Sequence, residues 1–134
     1  INIEINRSEK SMINLVEMDE KVTLSAQMDE DKNGPVIVMN KFNVKPENID
    51  SFLKVWTTDA EIMKRQPGFI STQLHRGIAG SSVFINYAVW ESAKYLKLAL
   101  NNPEFQSTLN AYPVDTIVSP HLFRKVAVLG ICVD

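Results

Sequence analysis

The chain has 134 residues, 45% of them apolar and 22% charged, which suits one globular domain with its own hydrophobic core. A net charge of −2 excludes the basic footprint of a nucleic-acid or anionic-membrane binder, and no apolar run approaches the ~20 residues of a membrane span. The single cysteine, Cys132, excludes an internal disulfide and any CxxC metal or redox pair, and a cytoplasmic protein is expected.

Residues 1–34 carry eight acids and four bases, whereas residues 35–134 carry ten bases and eight acids. That split suggests an N-terminal extension (1–34) before a near-neutral domain (35–134). The charged turn cluster Asp29-Glu30-Asp31-Lys32-Asn33-Gly34-Pro35 marks the boundary. Within the extension, residues 12–16 and 22–28 read as two short strands, the second from the alternation of Val22, Leu24, Ala26 and Met28. An edge hairpin and a loosely packed arm both remain open for it.

Residues 36–44 read as a strand. Pro46 suits the first turn of a helix, where its missing N–H costs nothing. Ile49, Phe52, Leu53, Trp56, Ala60 and Met63 then recur at helical spacing, until Gln66-Pro67-Gly68 stops the run. Residues 69–76 and 83–90 form two further strands around the turn Gly77-Ile78-Ala79-Gly80-Ser81. Ser92 caps a helix carrying Tyr95, Leu96, Ala99 and Leu100. Asn102-Pro103 breaks it and starts another turn with Phe105 and Leu109 inward, Tyr112-Pro113 ends that, and residues 121–131 read as the last strand. From residue 35 the order is β-α-β-β-α-β, an α+β, ferredoxin-like antiparallel sheet with helices on one face.

Strand parity separates the faces. Phe84, Asn86, Ala88 and Trp90 share one face, and Val83, Ile85, Tyr87 and Val89 the other. Both are apolar, so both are expected to be buried, one under the helices and one in a homodimer packed sheet on sheet. Asn86 breaks its row, and a buried amide without partners costs on the order of 1–3 kcal/mol. Either a ligand meets it or the fold satisfies it, for instance at a β-bulge. Asn40 stands alone in the same way among Val36, Val38, Phe42 and Val44, and Phe69, Ser71, Gln73 and His75 form a more polar row suited to a pocket rim.

The β-α-β-β-α-β order, Gln66-Pro67-Gly68-Phe69, Ser119-Pro120-His121-Leu122 and above all Asn86-Tyr87-Ala88-Val89-Trp90-Glu91-Ser92 resemble the antibiotic biosynthesis monooxygenase family of dimeric α/β barrels. The resemblance covers about residues 35–130. It is nearest to the cofactor-free anthrone oxygenases, and it implies a monooxygenase that oxidises a small phenol, quinol or anthrone-like aromatic with O2 and takes no cofactor. It also implies that Asn86 and Trp90 bind the substrate's oxygens. The tyrosine such enzymes use six residues after the tryptophan falls on Leu96 here, with Tyr95 one position earlier. Haem-degrading relatives use an asparagine at the position of Asn40, and a tryptophan and a histidine where this chain has Ala99 and Leu109. Haem binding or degradation is the runner-up, and a non-enzymatic dimeric binder of small molecules is the third reading.

A cofactor-free oxygenase needs a dry pocket, donors for a developing oxyanion and a proton carrier. Asn86 and Trp90 are the candidate donors and His75 the candidate base, its reference pKa lying near neutrality. Asn40, Trp56, Tyr95 and Phe105 are candidate substrate contacts. Each also has a plain structural reading, as core, backbone partner or strand-end residue. His75 and His121 have no carboxylate at ligand spacing, so no metal site is expected.

Overall fold

The computed structural model describes residues 13–30 and 32–133. Strand β1 (Ile13–Leu15) and helix α1 (Leu24–Met28) precede the split unit. That unit runs β2 (Val36–Asn43), α2 (Ile49–Met63), β3 (Phe69–Arg76), β4 (Val83–Trp90), α3 (Ala93–Leu100), α4 (Pro103–Thr108) and β5 (Thr116–Phe123). One five-stranded sheet has the order β1-β5-β2-β4-β3, antiparallel except for the parallel pair β1–β5. The α+β, ferredoxin-like architecture expected from the sequence is therefore present. No helix among the described residues is long and apolar enough to cross a membrane.

Local chemistry sets the helix ends. Pro46 opens a single 3-10 turn that feeds α2. Ser92 Oγ accepts from the Tyr95 N–H at 3.3 Å and starts α3. Asn102 Oδ1 accepts from the Glu104 N–H at 2.8 Å, with Pro103 in the first turn of α4. The helices cover the face carrying Val36, Val38, Asn40 and Phe42 of β2 and Phe84, Asn86, Ala88 and Trp90 of β4. In register, Val36 opposes Trp90, Val38 opposes Ala88, Asn40 opposes Asn86 and Phe42 opposes Phe84. At the centre Phe52 is fully buried, its ring 4.9 Å from Phe42 and 5.0 Å from Phe84. Truncating such an aromatic costs about 3–5 kcal/mol.

Three expectations are corrected. Residues 22–28 form no second strand and no edge hairpin; they contain α1. Leu24 and Met28 are buried at i and i+4, a spacing that satisfies both strand and helix periods, and Thr23 Oγ1 accepts from the Ala26 N–H to cap the helix. Of the strand expected over residues 12–16, residue 12 lies outside the described residues, and β1 pairs in parallel with β5.

The last strand is Thr116–Phe123, not 121–131, so Ser119, Pro120 and His121 lie inside it. Val118 C=O meets Val16 N–H, and the N–H and C=O of Leu122 meet the Gln27 side chain. By alternation Pro120 turns toward that same side, away from the β2 ladder, so its missing N–H breaks no pairing with β2. Beyond Phe123 the described residues form a small turn bridged between Val128 and Cys132. The third correction concerns β3. A bulge between Phe69 and Ser71 shifts its register, so that Thr72 opposes Ala88 and Leu74 opposes Asn86. Beyond the bulge Thr72 and Leu74 face the helices, while Ser71, Gln73 and His75 are exposed on the other side.

Candidate functional site

Between sheet and helices lies a mostly apolar cavity of about 120 Å³. Val38, Ala88 and Trp90 form its floor, Trp56, Met63 and Phe105 part of its roof. Asn40 and Asn86, neighbours across β2 and β4, bring two amides to that floor.

Both amide oxygens are held by the fold, through different partners, and neither NH2 meets an acceptor among the described residues. Asn40 Oδ1 accepts from the Ser119 N–H at 3.1 Å, which ties it to β5. Asn86 Oδ1 accepts from Thr72 Oγ1 at 2.5 Å, a contact that exists only because the bulge turns Thr72 inward. With its oxygen held, the Asn86 NH2 is left as a donor that meets no acceptor among the described residues. Trp90 is 2% exposed and stands edge-on to Phe69 at 5.4 Å, and its indole N–H likewise has no acceptor among the described residues. Asn86 and Trp90, on one face of β4 with Ala88 between them, thus offer N–H donors in an apolar surround, where a developing oxyanion gains most from them.

Of the residues singled out in the sequence, the structure gathers Asn40, Asn86, Trp90, Trp56 and Phe105 around this cavity. It does not bring His75 or Tyr95 there. His75 opposes Ile85 on the far face and is exposed. Tyr95 is 38% exposed and packs over Gly68, where a methyl added to the glycine would come within 2.3 Å of Tyr95 Cβ. Leu96, one residue on, is the side chain that lines the cavity.

The structure adds a group that the periodicity passed over. Asp59 of α2 is 7% exposed and lines the cavity. Its carboxylate accepts from Thr108 Oγ1 through one oxygen and from Tyr112 OH through the other. Burial pushes the Asp59 carboxyl up to about 6, against the lowering effect of the two hydroxyl donors. Tyr112 is pushed well above the usual phenol value by its own burial and by the carboxylate beside it. Thr108 Oγ1 also lies 2.7 Å from the Phe105 C=O. The cluster can therefore serve both charge states. An ionised Asp59 accepts from Thr108; a protonated one donates to Thr108 Oγ1, whose hydrogen then turns to Phe105 C=O. The sequence signal was its place on the apolar stripe, three residues after Trp56 and four before Met63.

Comparison with known proteins follows the same lines. The family model for antibiotic biosynthesis monooxygenases matches residues 35–111. A solved structure of SnoaB, a cofactor-independent oxygenase from Streptomyces nogalater, is 27% identical over 72% of this chain and 98% of its own, with a TM-score of 0.61. A protein assigned as a monooxygenase from Shewanella loihica PV-4 is 26% identical over 72% of this chain and 99% of its own, with a TM-score of 0.63. A conserved protein from Methanosarcina mazei Go1, 18% identical over 77% of this chain and 100% of its own at a TM-score of 0.63, shares the fold. No curated protein matches the sequence. With more than half its length matched by the family model, this chain belongs to the antibiotic biosynthesis monooxygenase family.

Proposed function

We propose that the chain is a cofactor-independent monooxygenase that oxidises a small phenol, quinol or anthrone-like aromatic with O2. The observation that carries the reading is the pairing, in one apolar cavity, of the free Asn86 and Trp90 N–H donors with the buried Asp59 carboxylate. The likeness to SnoaB supports it.

In this reading the substrate is the reductant. Its hydroxyl, or an acidic ring C–H, gives a proton to Asp59. The resulting anion, held by Asn86 and Trp90, passes one electron to O2. The two radicals recombine at a ring carbon that carries hydrogen, giving a hydroperoxide anion that takes a proton back. Loss of water then leaves a carbonyl, so that one substrate and one O2 yield one quinone and one H2O.

The raised Asp59 value bears on the first step. A phenol of pKa about 10 loses its proton uphill by about 4 units to a carboxylate at about 6, ~5 kcal/mol, against ~8 kcal/mol for an unperturbed carboxylate. Burial thus makes Asp59 the stronger base for this substrate class. His75 has no part in it, being exposed on the opposite face.

The reading includes a homodimer. Ile70 and Ile85 are exposed on the face away from the helices, beside the half-buried Met39, Tyr87 and Val89, a patch that a second sheet would cover. The test is O2 uptake with purified protein and a quinol series without added cofactor. Uptake that Asn86→Ala and Asp59→Asn both suppress supports the reading. Tight binding of the same quinols with no uptake replaces it with a binding protein.

A further inference from the structure

The family match begins at residue 35, yet three side chains from before that point line the cavity. Ile13 of β1 and Leu24 and Met28 of α1 are each at most 4% exposed and sit among the cavity walls.

This segment is fastened at several points. Ile13, Asn14 and Leu15 pair with Thr116, Ile117 and Val118 of β5, and Val16 N–H continues to Val118 C=O at 2.9 Å. Where β1 ends, the Gln27 side chain takes over the β5 edge. Its Oε1 accepts from Leu122 N–H at 2.9 Å and its Nε2 donates to Leu122 C=O at 3.0 Å, as a further strand residue would. Asp29 pairs with Lys97 of α3 at 2.8 Å, and Glu30 with Arg124 at 2.6 Å. The C-terminal end of α1 is therefore pinned between α3 and β5, with Leu24 and Met28 turned into the cavity.

The space left is small. A cavity of about 120 Å³ compares with the ~150 Å³ apolar cavity that accepts benzene. It suits one aromatic ring, not three fused rings. We propose that β1 and α1 form a wall contributed from outside the family-matched residues, and that Leu24 and Met28 are the specificity-determining residues that size the cavity for a single-ring phenol or quinol and exclude fused tricycles. The proposal rests on the oxygenase reading only for the chemistry of the ligand and narrows its substrate class to the phenols and quinols, dropping the anthrone-like tricycles; the sizing itself is a binding property.

Equilibrium binding tests it, read from the fluorescence of Trp56 and Trp90, both of which line the cavity. The probes are methylhydroquinone and 1,8-dihydroxyanthrone. Wild type is expected to bind the single ring at least tenfold more tightly than the tricycle. Leu24→Ala/Met28→Ala strips both side chains back to Cβ and is expected to narrow that ratio at least tenfold. Met28→Phe keeps the core apolar and adds bulk, and is expected to weaken methylhydroquinone as well.

A wild type that prefers the tricycle overturns the proposal. So does a preference that neither variant moves, or failure of both probes to bind the wild type. O2 uptake is measured in parallel. A preference that shifts as expected without any uptake leaves the wall standing and removes the oxygenase reading.

Discussion

Asp59→Asn removes the titration of the cavity's buried carboxyl. The amide has the shape of the carboxyl but does not titrate. In the folded chain Asp59 lies at about 6, above its ordinary 3.8, a difference worth about 3 kcal/mol. The folded value is the higher one, so the fold favours the protonated form. The stability this contributes is complete below pH ~3.8 and is lost as the pH rises through about 6. At pH 8 the wild type carries the full penalty and the variant none. About 2 of the ~3 kcal/mol falls between pH 4.5 and 8. Replacing one acceptor oxygen by NH2 disturbs the bond from Thr108 or Tyr112, an offset of about 1–2 kcal/mol that does not change with pH in this range. Urea unfolding of both proteins at pH 4.5, 6 and 8 isolates the titration, because every other group cancels in the difference. The variant should gain about 2 kcal/mol on the wild type from the lowest to the highest pH. In the oxygenase assay kcat/KM of the wild type should fall about tenfold per unit below pH ~6, and Asp59→Asn should lose about 10²–10⁴-fold and the inflection with it. A stability difference that is flat with pH refutes the buried, raised carboxyl. An unchanged pH–rate profile in the variant refutes its role as the base.

Asn86→Ala removes a donor aimed at the developing oxyanion and should lower kcat by about 10²-fold, while the hydroxyl of Thr72 left without its acceptor costs only ~1 kcal/mol by denaturant titration. Trp90→Phe deletes the N–H and one ring of a buried side chain, so kcat should fall about 10²-fold, with a stability loss of about 1–2 kcal/mol by denaturant titration. Gly68→Ala places a methyl at a φ of +86° and 2.3 Å from Tyr95 Cβ, and should cost at least ~1–3 kcal/mol in thermal unfolding; adding Tyr95→Ala should not rescue it, because the clashing Cβ stays. Light scattering should give about twice the 15.1 kDa chain mass, and a monomer mass refutes the sheet-face dimer.

Much of the fold was legible in the sequence because β2 and β4 keep an unbroken period of two, Pro46 opens the run into α2, and α3 and α4 carry the side-chain caps Ser92 and Asn102. Parity put each of the two asparagines in an apolar row of β2 or β4 without saying which row faces the helices; register places them opposite each other on the cavity side. What failed has local causes. A single bulge inverted the expected face of β3, exchanging His75 for Thr72. Five residues of alternating apolar character at 24–28 are compatible with both periods, and only the Thr23 cap and the packing of α1 on β5 and α3 select the helix. Among the described residues Val126 and Ile131 join no strand ladder and Val128 bridges only to Cys132, so β5 ends at Phe123. Asp59 escaped notice because a carboxylate on an apolar stripe looks like a solvated residue until its partners, 49 and 53 positions away at Thr108 and Tyr112, are known.

The decisive experiment follows O2 with an electrode while purified protein, stripped of metals with a chelator, turns over methylhydroquinone. The account predicts uptake well above the buffer rate, one O2 consumed per quinone formed, no stimulation by flavin, nicotinamide or iron, and a large loss in Asn86→Ala. A rate equal to buffer for wild type and Asn86→Ala alike, or uptake that appears only with an added cofactor, would contradict it.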